Sequence, residues 1–174
     1  MNFLLQLDTS LCISANRLSS HKIIQMFFSL ISRLGDGFVW YSLMLILPMI
    51  YAEQGAYITV HMLGVALPSL LIYKYLKKKT LRPRPCAINP AVQQKTHTLD
   101  QFSFPSGHTL HAVCFSVVVC GHLPGMLWIL APFSVLVAFS RPVLGLHYPS
   151  DVLAGALIGA IISSLSWVLF NYIW

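Results

Sequence analysis

The 174-residue chain is 56% hydrophobic and 9% charged, and its mean hydropathy is +0.71. Soluble domains carry about 25% charged residues, so the composition excludes an ordinary soluble protein and predicts one membrane-embedded domain, residues 1–174. The net charge of +6 reflects 11 Lys and Arg against 5 Asp and Glu. Because strongly apolar segments flank the basic residues, we expect no nucleic-acid partner; the expected partners are the bilayer and a phosphorylated ligand.

Residues 1–34 are mixed in polarity rather than continuously apolar. Apolar side chains such as Ile23 and Phe27 recur at helical spacing, with Lys22 and Arg33 at the ends of this group. The pattern predicts two amphipathic helices that lie at the membrane interface, with a first spanning helix as the alternative.

Five almost uncharged runs follow, and each is predicted to form a transmembrane helix. The run from Gln54 to Tyr73 has twenty residues, enough to cross the hydrocarbon core. No Lys, Arg, Asp or Glu occurs between Asp100 and Arg141, and a turn at Pro124 divides that interval in two. The fold class is therefore all-α, a polytopic helical membrane bundle. Its predicted spans are 38–52, 55–73, 105–121, 125–140 and 151–173.

A polar loop, residues 74–104, separates the second and third spans. Pro83 and Pro85 prevent a regular helix in that part of it. Six basic residues fall within eleven positions, namely Lys74, Lys77, Lys78, Lys79, Arg82 and Arg84. We expect the loop to lie over an anionic group.

Five spans place three sequence-distant polar groups on one side of the membrane. These groups are the basic loop, the start of the third span, and the connection between the fourth and fifth spans. The N-terminal segment lies on that same side and the C-terminus on the other. Asp36, between Gly35 and Gly37, is predicted to cap the first spanning helix, with a place beside the cationic groups as the alternative.

The connection between the last two spans contains Arg141, His147 and Asp151. A carboxylate four residues from a histidine shares its face on a helix, fixes its tautomer and raises its basicity. The planar Arg141 guanidinium suits a phosphate. Taken alone, this stretch is equally consistent with an ordinary capped helix start.

A second group, Ser106-Gly107-His108, lies at the start of the third span. The first N–H groups of a helix have no partner within the helix, and with the helix dipole they form an anion site. Gly107 lets a ligand approach the backbone, and Ser106 adds a hydroxyl donor.

Three motifs resemble the signature of the type 2 phosphatidic acid phosphatase superfamily of membrane lipid phosphatases. The first is Lys77, six residues, then Arg84-Pro85; the second is Pro105-Ser106-Gly107-His108. The third is Ser140-Arg141, five residues, His147, three residues, then Asp151. All eleven fixed positions match in order, and three such motifs in register are far more specific than one.

The resemblance implies a role for each matched residue. His147 attacks phosphorus and forms a phosphohistidine, and Asp151 orients its imidazole. His108 protonates the leaving oxygen and then activates water. The groups implied to bind the phosphate are Lys77, Arg84, Ser106, Gly107 and Arg141. No metal and no cofactor is implied, and Arg82, outside the motif, is expected to reach the phosphate from the rim.

The implied substrate is a lipid phosphate or pyrophosphate, with undecaprenyl pyrophosphate, phosphatidylglycerophosphate and lipid A as candidates. A phosphotransferase that passes the phosphate to another lipid is one alternative. A lipid or ion transporter is another, although the chain lacks obvious inverted repeats. The residues do not predict an oligomeric state.

Two arguments about orientation conflict. The positive-inside rule puts the basic loop in the cytoplasm. The resemblance to bacterial enzymes implies an inner (cytoplasmic) membrane protein whose site faces the periplasm or the exterior. We follow the resemblance, because function rather than orientation accounts for Lys77, Arg84 and Arg141.

Overall fold

The computed structural model describes residues 3–96 and 100–173. Within these ranges the chain is helical, apart from its turns, the loop and one isolated bridge between Pro83 and Phe102. This confirms the predicted all-α class. Residues 97–99, which belong to the predicted loop, and residues 1, 2 and 174 lie outside the described part.

Two N-terminal helices precede the bundle: α1, Phe3–Leu18, and α2, Lys22–Arg33. One face of α2 is exposed, with Ile23 at 83%, whereas Ser32 on its other face is buried. The ring of Phe28 packs against Phe139 at 5.9 Å between centroids. Two helices are therefore present within residues 1–34, as expected, and their place at the membrane interface stays a prediction, as does the alternative of a first spanning helix.

The next helix, α3, Val39–Thr80, reverses direction at Ala52, where φ is +47°. Thr59 Oγ1 donates to the Met44 carbonyl at 3.0 Å. In a straight helix these residues would be about 22 Å apart, so α3 consists of two antiparallel arms, 39–51 and 53–80. A Cβ at Gly55 would lie 1.9 Å from the Leu47 carbonyl oxygen, so only glycine permits this close turn. The arms correspond to the predicted spans 38–52 and 55–73.

The second arm continues beyond its predicted end. Residues 74–80, assigned from sequence to the polar loop, are helical, and the helix ends where Leu81 adopts a left-handed conformation ahead of Pro83. Lysine and leucine are good helix formers, so charge alone did not end the helix. Lys77 is consequently held on a helix. In the described part of the remaining loop, 81–96 and 100–104, the one helix is the short α4, Pro85–Ile88.

Three further helices complete the described fold: α5, Gly107–His122; α6, Leu127–Val143, after a 3₁₀ turn Pro124–Met126; and α7, Pro149–Ile173. Glycines bring α7 against α5, since a Cβ at Gly155 would lie 2.4 Å from the Ser106 carbonyl oxygen. A Cβ at Gly159 would lie 2.5 Å from that of Leu110. This contact fixes the start of α5 beside the start of α7.

Three helical segments of the described chain are long and apolar enough to cross a membrane: Lys22–Thr80, Pro124–Val143 and Pro149–Phe170. The first of them contains the reversal at Ala52. Helix α5 has 16 residues and is shorter than a typical span. The count of five transmembrane helices therefore stays a prediction.

Candidate active site

All three motifs meet at one end of the bundle, around a cavity of about 510 Å³. Each polar wall comes from a different element: the end of α3, the loop, the start of α5, the end of α6 and the turn before α7. The polar residues that line it include Lys77, Arg84, Asp100, His108, Arg141 and His147. The fold thus brings the three sequence-distant polar groups together at one end of the bundle, as predicted.

His147 lies in the turn before α7 rather than on the helix, so it and Asp151 do not share a helical face as the spacing had suggested. Its Nδ1 is 3.7 Å from Asp151 Oδ2, longer than a hydrogen bond. Asp151 Oδ2 accepts from the Tyr148 N–H at 2.9 Å, and Oδ1 accepts from Arg82 at 2.7 Å. Asp151 therefore caps the start of α7 and also faces the His147 imidazole. The capped helix start and the carboxylate–histidine pair, which the sequence offered as alternatives, occur together.

The imidazole of His147 is buried among cations. Its Nδ1 has no hydrogen-bond partner within the described residues, and its Nε2 lies 3.5 Å from an Arg84 nitrogen. Burial, followed by the charges of Arg141 and Arg84, holds the pKa of His147 well below its usual 6.5. The ring is therefore neutral at pH 7. A proton on Nδ1, toward Asp151, leaves the Nε2 lone pair facing the cations.

Lys77 and Arg84 are held together by a carboxylate absent from the three motifs. Asp100 Oδ1 lies 2.6 Å from Lys77 Nζ and 2.8 Å from Arg84, and Asp100 Oδ2 accepts from the Tyr73 hydroxyl at 2.8 Å. Burial raises the pKa of Asp100, but the hydrogen bond and charge of Lys77 outweigh it and bring the pKa to about 2. Asp100 is therefore ionised and fixes both cations toward the cavity.

Arg141 is 3% exposed, and one of its terminal nitrogens donates to Ser32 Oγ at 2.5 Å. Its Nε has no hydrogen-bond partner within the described chain. A buried guanidinium with an unpaired donor is costly unless an anion joins it. Arg141 lines the cavity, so a phosphate there would supply the missing acceptor.

Ser106 and Gly107 take different places at the start of α5. Ser106 caps α5, with its hydroxyl 2.9 Å from Thr109 Oγ1, and it is not among the residues that line the cavity. The Ser106 oxygen therefore accepts from the first turn of α5, and its predicted contact with the phosphate stays a prediction. Gly107 does line the cavity, and a Cβ there would lie 2.7 Å from the Tyr73 ring.

Two charged residues outside the motifs occupy places other than those predicted. Asp36 makes no capping hydrogen bond; its carboxylate contacts His108 Nε2. Arg82 does not reach the cavity, because it pairs with Asp8 and Asp151, each at 2.7 Å, beneath the site. The favoured cap for Asp36 and the rim position for Arg82 were wrong because the deciding partners lie far away in sequence, whereas the alternative place for Asp36, beside the cationic groups, is the one observed.

The family model described as the PAP2 superfamily matches residues 55–174, a range that contains all three motifs. The chain belongs to the PAP2 superfamily. The predicted likeness to type 2 phosphatidic acid phosphatases is thereby confirmed, and the site described above is that of a PAP2 protein.

Two of the curated relatives illustrate the phosphatase names found among proteins similar to this chain. An undecaprenyl-diphosphatase of Sulfolobus acidocaldarius is 40% identical over 80 residues, which cover 45% of this chain and 38% of the relative. Phosphatidylglycerophosphatase B of Bacillus subtilis is 37% identical over 103 residues, which cover 53% of this chain and 48% of the relative. The chain thus spans about half the length or less of these relatives.

Solved PAP2 structures agree over most of the fold. A transmembrane PAP2-type phosphatidylglycerolphosphate phosphatase from Bacillus subtilis matches with a TM-score of 0.82 and 27% identity, covering 100% of this chain and 89% of that one. LpxE of Aquifex aeolicus matches with a TM-score of 0.73 and 26% identity, covering 91% and 93%. The predicted integral membrane helical bundle is confirmed.

Proposed function

We propose that this PAP2 protein hydrolyses the phosphate or pyrophosphate group of a membrane lipid through a phosphohistidine intermediate. The observation that supports the proposal most is a neutral, buried His147 imidazole at a cavity lined by Lys77, Arg84 and Arg141. A neutral nucleophile surrounded by fixed cations suits attack on a dianionic phosphoryl group.

In the first step, His147 Nε2 attacks phosphorus and the bond to the leaving oxygen breaks. The three cations neutralise charge on the non-bridging oxygens, and because they are already in place, little reorganisation is needed. Asp151 stabilises the positive charge that develops on the ring, provided that the 3.7 Å separation from Nδ1 closes by less than about 1 Å. His108 gives its proton to the leaving oxygen.

In the second step, water attacks the phosphohistidine on the side that the leaving group vacated. His108, now neutral, accepts the proton from that water, and the N–P bond breaks. Inorganic phosphate leaves and His147 is restored. The proton that His108 gave in the first step is regained in the second, so the cycle closes without a metal or a cofactor.

The proposed lipid substrate accounts for the apolar part of the cavity. Beyond the cations, the cavity continues between the two arms of α3 and α5, where its lining includes Trp40, Met44, Leu63, Ala66, Leu70 and Phe115. Leu63 is 56% exposed on the outer surface of the bundle, which faces lipid in a membrane protein. A lipid whose phosphorylated headgroup binds the cations would place its apolar chain in this apolar part of the cavity.

A phosphate-release panel in detergent tests the proposal. It compares undecaprenyl pyrophosphate, phosphatidylglycerophosphate, phosphatidic acid and lipid A, with and without a chelator. We expect release from at least one lipid, undiminished by the chelator. Activity that the chelator abolishes would contradict the metal-free mechanism, and no release from any lipid would contradict the function. Phosphate recovered on an added acceptor lipid would instead identify a phosphotransferase.

We further propose that the site faces the periplasm or the exterior of a bacterial inner membrane. Lys95→Cys reports the side of the loop, and Glu53→Cys, at the reversal of α3, reports the opposite side. Both are made with the half-buried Cys86 and Cys120 replaced by Ser. A membrane-impermeant maleimide added to intact cells should label position 95 and not position 53; the reverse pattern would place the site in the cytoplasm.

A further inference from the structure

A second carboxylate–histidine pair lies opposite His147. His108, at the start of α5, contacts the carboxylate of Asp36 through Nε2. Asp36 belongs to the π-helical turn Leu34–Phe38, which joins α2 to the first arm of α3. The two residues are 72 positions apart, and both line the cavity.

The turn that carries Asp36 is shaped for this contact. Gly37 has a φ of +129°, which an L side chain rarely adopts, so the backbone bends at that point. A Cβ at Gly35 would lie 3.0 Å from Val137, so the other flank of Asp36 is pressed against α6. Two glycines therefore let the turn pass close to α6 and direct the carboxylate to His108 rather than to its own helix end.

We propose that Asp36 is a positioning residue that orients His108 and stabilises its protonated form, so that the site contains two carboxylate–histidine pairs. Asp151 serves the attacking imidazole and Asp36 serves the imidazole that handles the leaving oxygen. This inference rests on the proposed phosphatase function and deepens it. Asp36 does not touch the reacting atoms; it acts through His108.

The electrostatics of the site make such a partner necessary. Burial opposes the protonated form of His108 most strongly and the positive charge of Arg141 adds to this, whereas the Asp36 carboxylate favours the protonated form. Without the carboxylate, a site built to bind phosphate would disfavour the protonated imidazole that the leaving group requires. The same cations that stabilise the phosphoryl group thus create the need for Asp36.

The chemical step balances with groups already described. His147 Nε2 forms a bond to phosphorus, the bond from phosphorus to the leaving oxygen breaks, and its electron pair remains on that oxygen. The leaving oxygen takes the proton of His108 Nδ1, the ring nitrogen that does not contact Asp36, and the positive charge of the ring had been offset by Asp36. Water later returns a proton to His108 as the N–P bond breaks, and Asp36 keeps its negative charge throughout.

The leaving group provides a test that a merely structural residue would not pass. p-Nitrophenolate leaves without protonation, whereas the alkoxide of dodecyl phosphate needs a proton. Asp36→Asn should lower kcat/KM for dodecyl phosphate about a hundredfold, the scale of general acid catalysis, and for p-nitrophenyl phosphate less than about threefold. His108→Ala should give the same split, and Asp36→Glu should restore part of the dodecyl phosphate activity.

Glu53→Gln is the matched control, because Glu53 is an exposed carboxylate at the reversal of α3, away from the cavity, and it should leave both activities unchanged. Equal loss on both substrates in Asp36→Asn would show a structural role and overturn the inference. A lower KM with unchanged kcat would show that Asp36 merely occupies the empty site, and would also overturn it. If the wild type hydrolyses neither substrate nor any lipid of the panel, the proposed function itself fails.

Discussion

Buried histidines occur at both ends of this bundle, and their surroundings differ. At the end away from the cavity, His61 is 1% exposed, with Nδ1 3.0 Å from His122 and Nε2 2.9 Å from Ser166. Its ring stacks on Phe170 at 4.0 Å. At the cavity, His147 is 2% exposed, has cations on one side, and lacks a hydrogen-bond partner for Nδ1 within the described residues.

The difference separates a packing histidine from a reactive one. Both nitrogens of His61 are satisfied by neutral partners, so the residue can be buried without a ligand. His147 is buried with no partner for Nδ1 within the described residues and lies beside cations of which Arg141 has an unpartnered Nε, a state that is costly unless a substrate completes it. Burial alone does not distinguish the two; the partners do.

The largest expected effect is at His147. Replacing it with Ala removes the nucleophile and should lower kcat for phosphate release at least about a thousandfold. His61 lies on the same helical arm as Lys77, about 24 Å from it along the helix axis. His61→Ala should therefore leave kcat within about threefold of the wild-type value. Both variants are compared in the lipid panel. Substantial turnover by His147→Ala would contradict the distinction between a reactive histidine at the cavity and a packing histidine at the other end of the bundle.

The next effect is at Arg141. Arg141→Ala removes one fixed cation from the transition state and should lower kcat/KM about a hundredfold. Arg141→Lys should recover only part of this loss, because an ammonium group lacks the planar fork of donors. If Arg141→Ala had wild-type kinetics, the proposal that Arg141 binds the substrate phosphate through its unpaired Nε would be contradicted.

Asp100→Asn should have a smaller effect, about tenfold and mainly in KM, because Lys77 and Arg84 remain but lose the group that holds them. The carboxylate is ionised throughout the useful pH range, since its pKa is about 2. An equal loss of kcat with unchanged KM would assign Asp100 to the chemical step instead.

The pH dependence offers a milder test of the cationic surroundings. Because the pKa of His147 is well below 6.5, the ring stays neutral as pH falls from 7 to 6. With p-nitrophenyl phosphate, whose leaving group needs no proton from His108, kcat/KM corrected for substrate ionisation should fall less than about twofold in this interval, whereas a His147 imidazole of pKa 6.5 would give about threefold. The same depression means that the contribution of His147 to stability is complete above pH 6.5 and declines below it.

The smallest effect on activity, and a measurable one on stability, is expected at His61. Its replacement by Ala removes the hydrogen bonds to His122 and Ser166, although Ser166 still donates to the Ser163 carbonyl, and should lower the free energy of unfolding by about 1–3 kcal/mol. Thermal unfolding in detergent measures the change. An intact melting temperature together with lost activity would show that this end takes part in function.

Much of the site was predictable because its residues lie at helix ends with fixed spacing. Gly107, His108, Arg141 and Asp151 belong to short motifs, and the topology of apolar runs placed these motifs on one face. The extent of α3 was less predictable, because Lys77 lies in a charged stretch that is nevertheless helical.

The partners of the motif residues could not be predicted from sequence. Asp36 and Asp100 are two of only five acidic residues in the chain, and this scarcity indicates that they have specific roles. Their local sequence, however, does not indicate His108 or Lys77 as a partner. Arg82 was misassigned for the same reason, because its partner Asp8 is 74 positions away. Such long-range pairs appear only when the helices are packed.

The central claim is that His147 becomes covalently phosphorylated. Rapid acid-free quenching with a ³²P-labelled lipid substrate, followed by mass spectrometry of the peptides, tests it directly. The account predicts an alkali-stable, acid-labile phosphate on His147, absent from His147→Ala and present in the exposed-histidine control His21→Ala. Normal phosphate release with no label on His147 during turnover would contradict it.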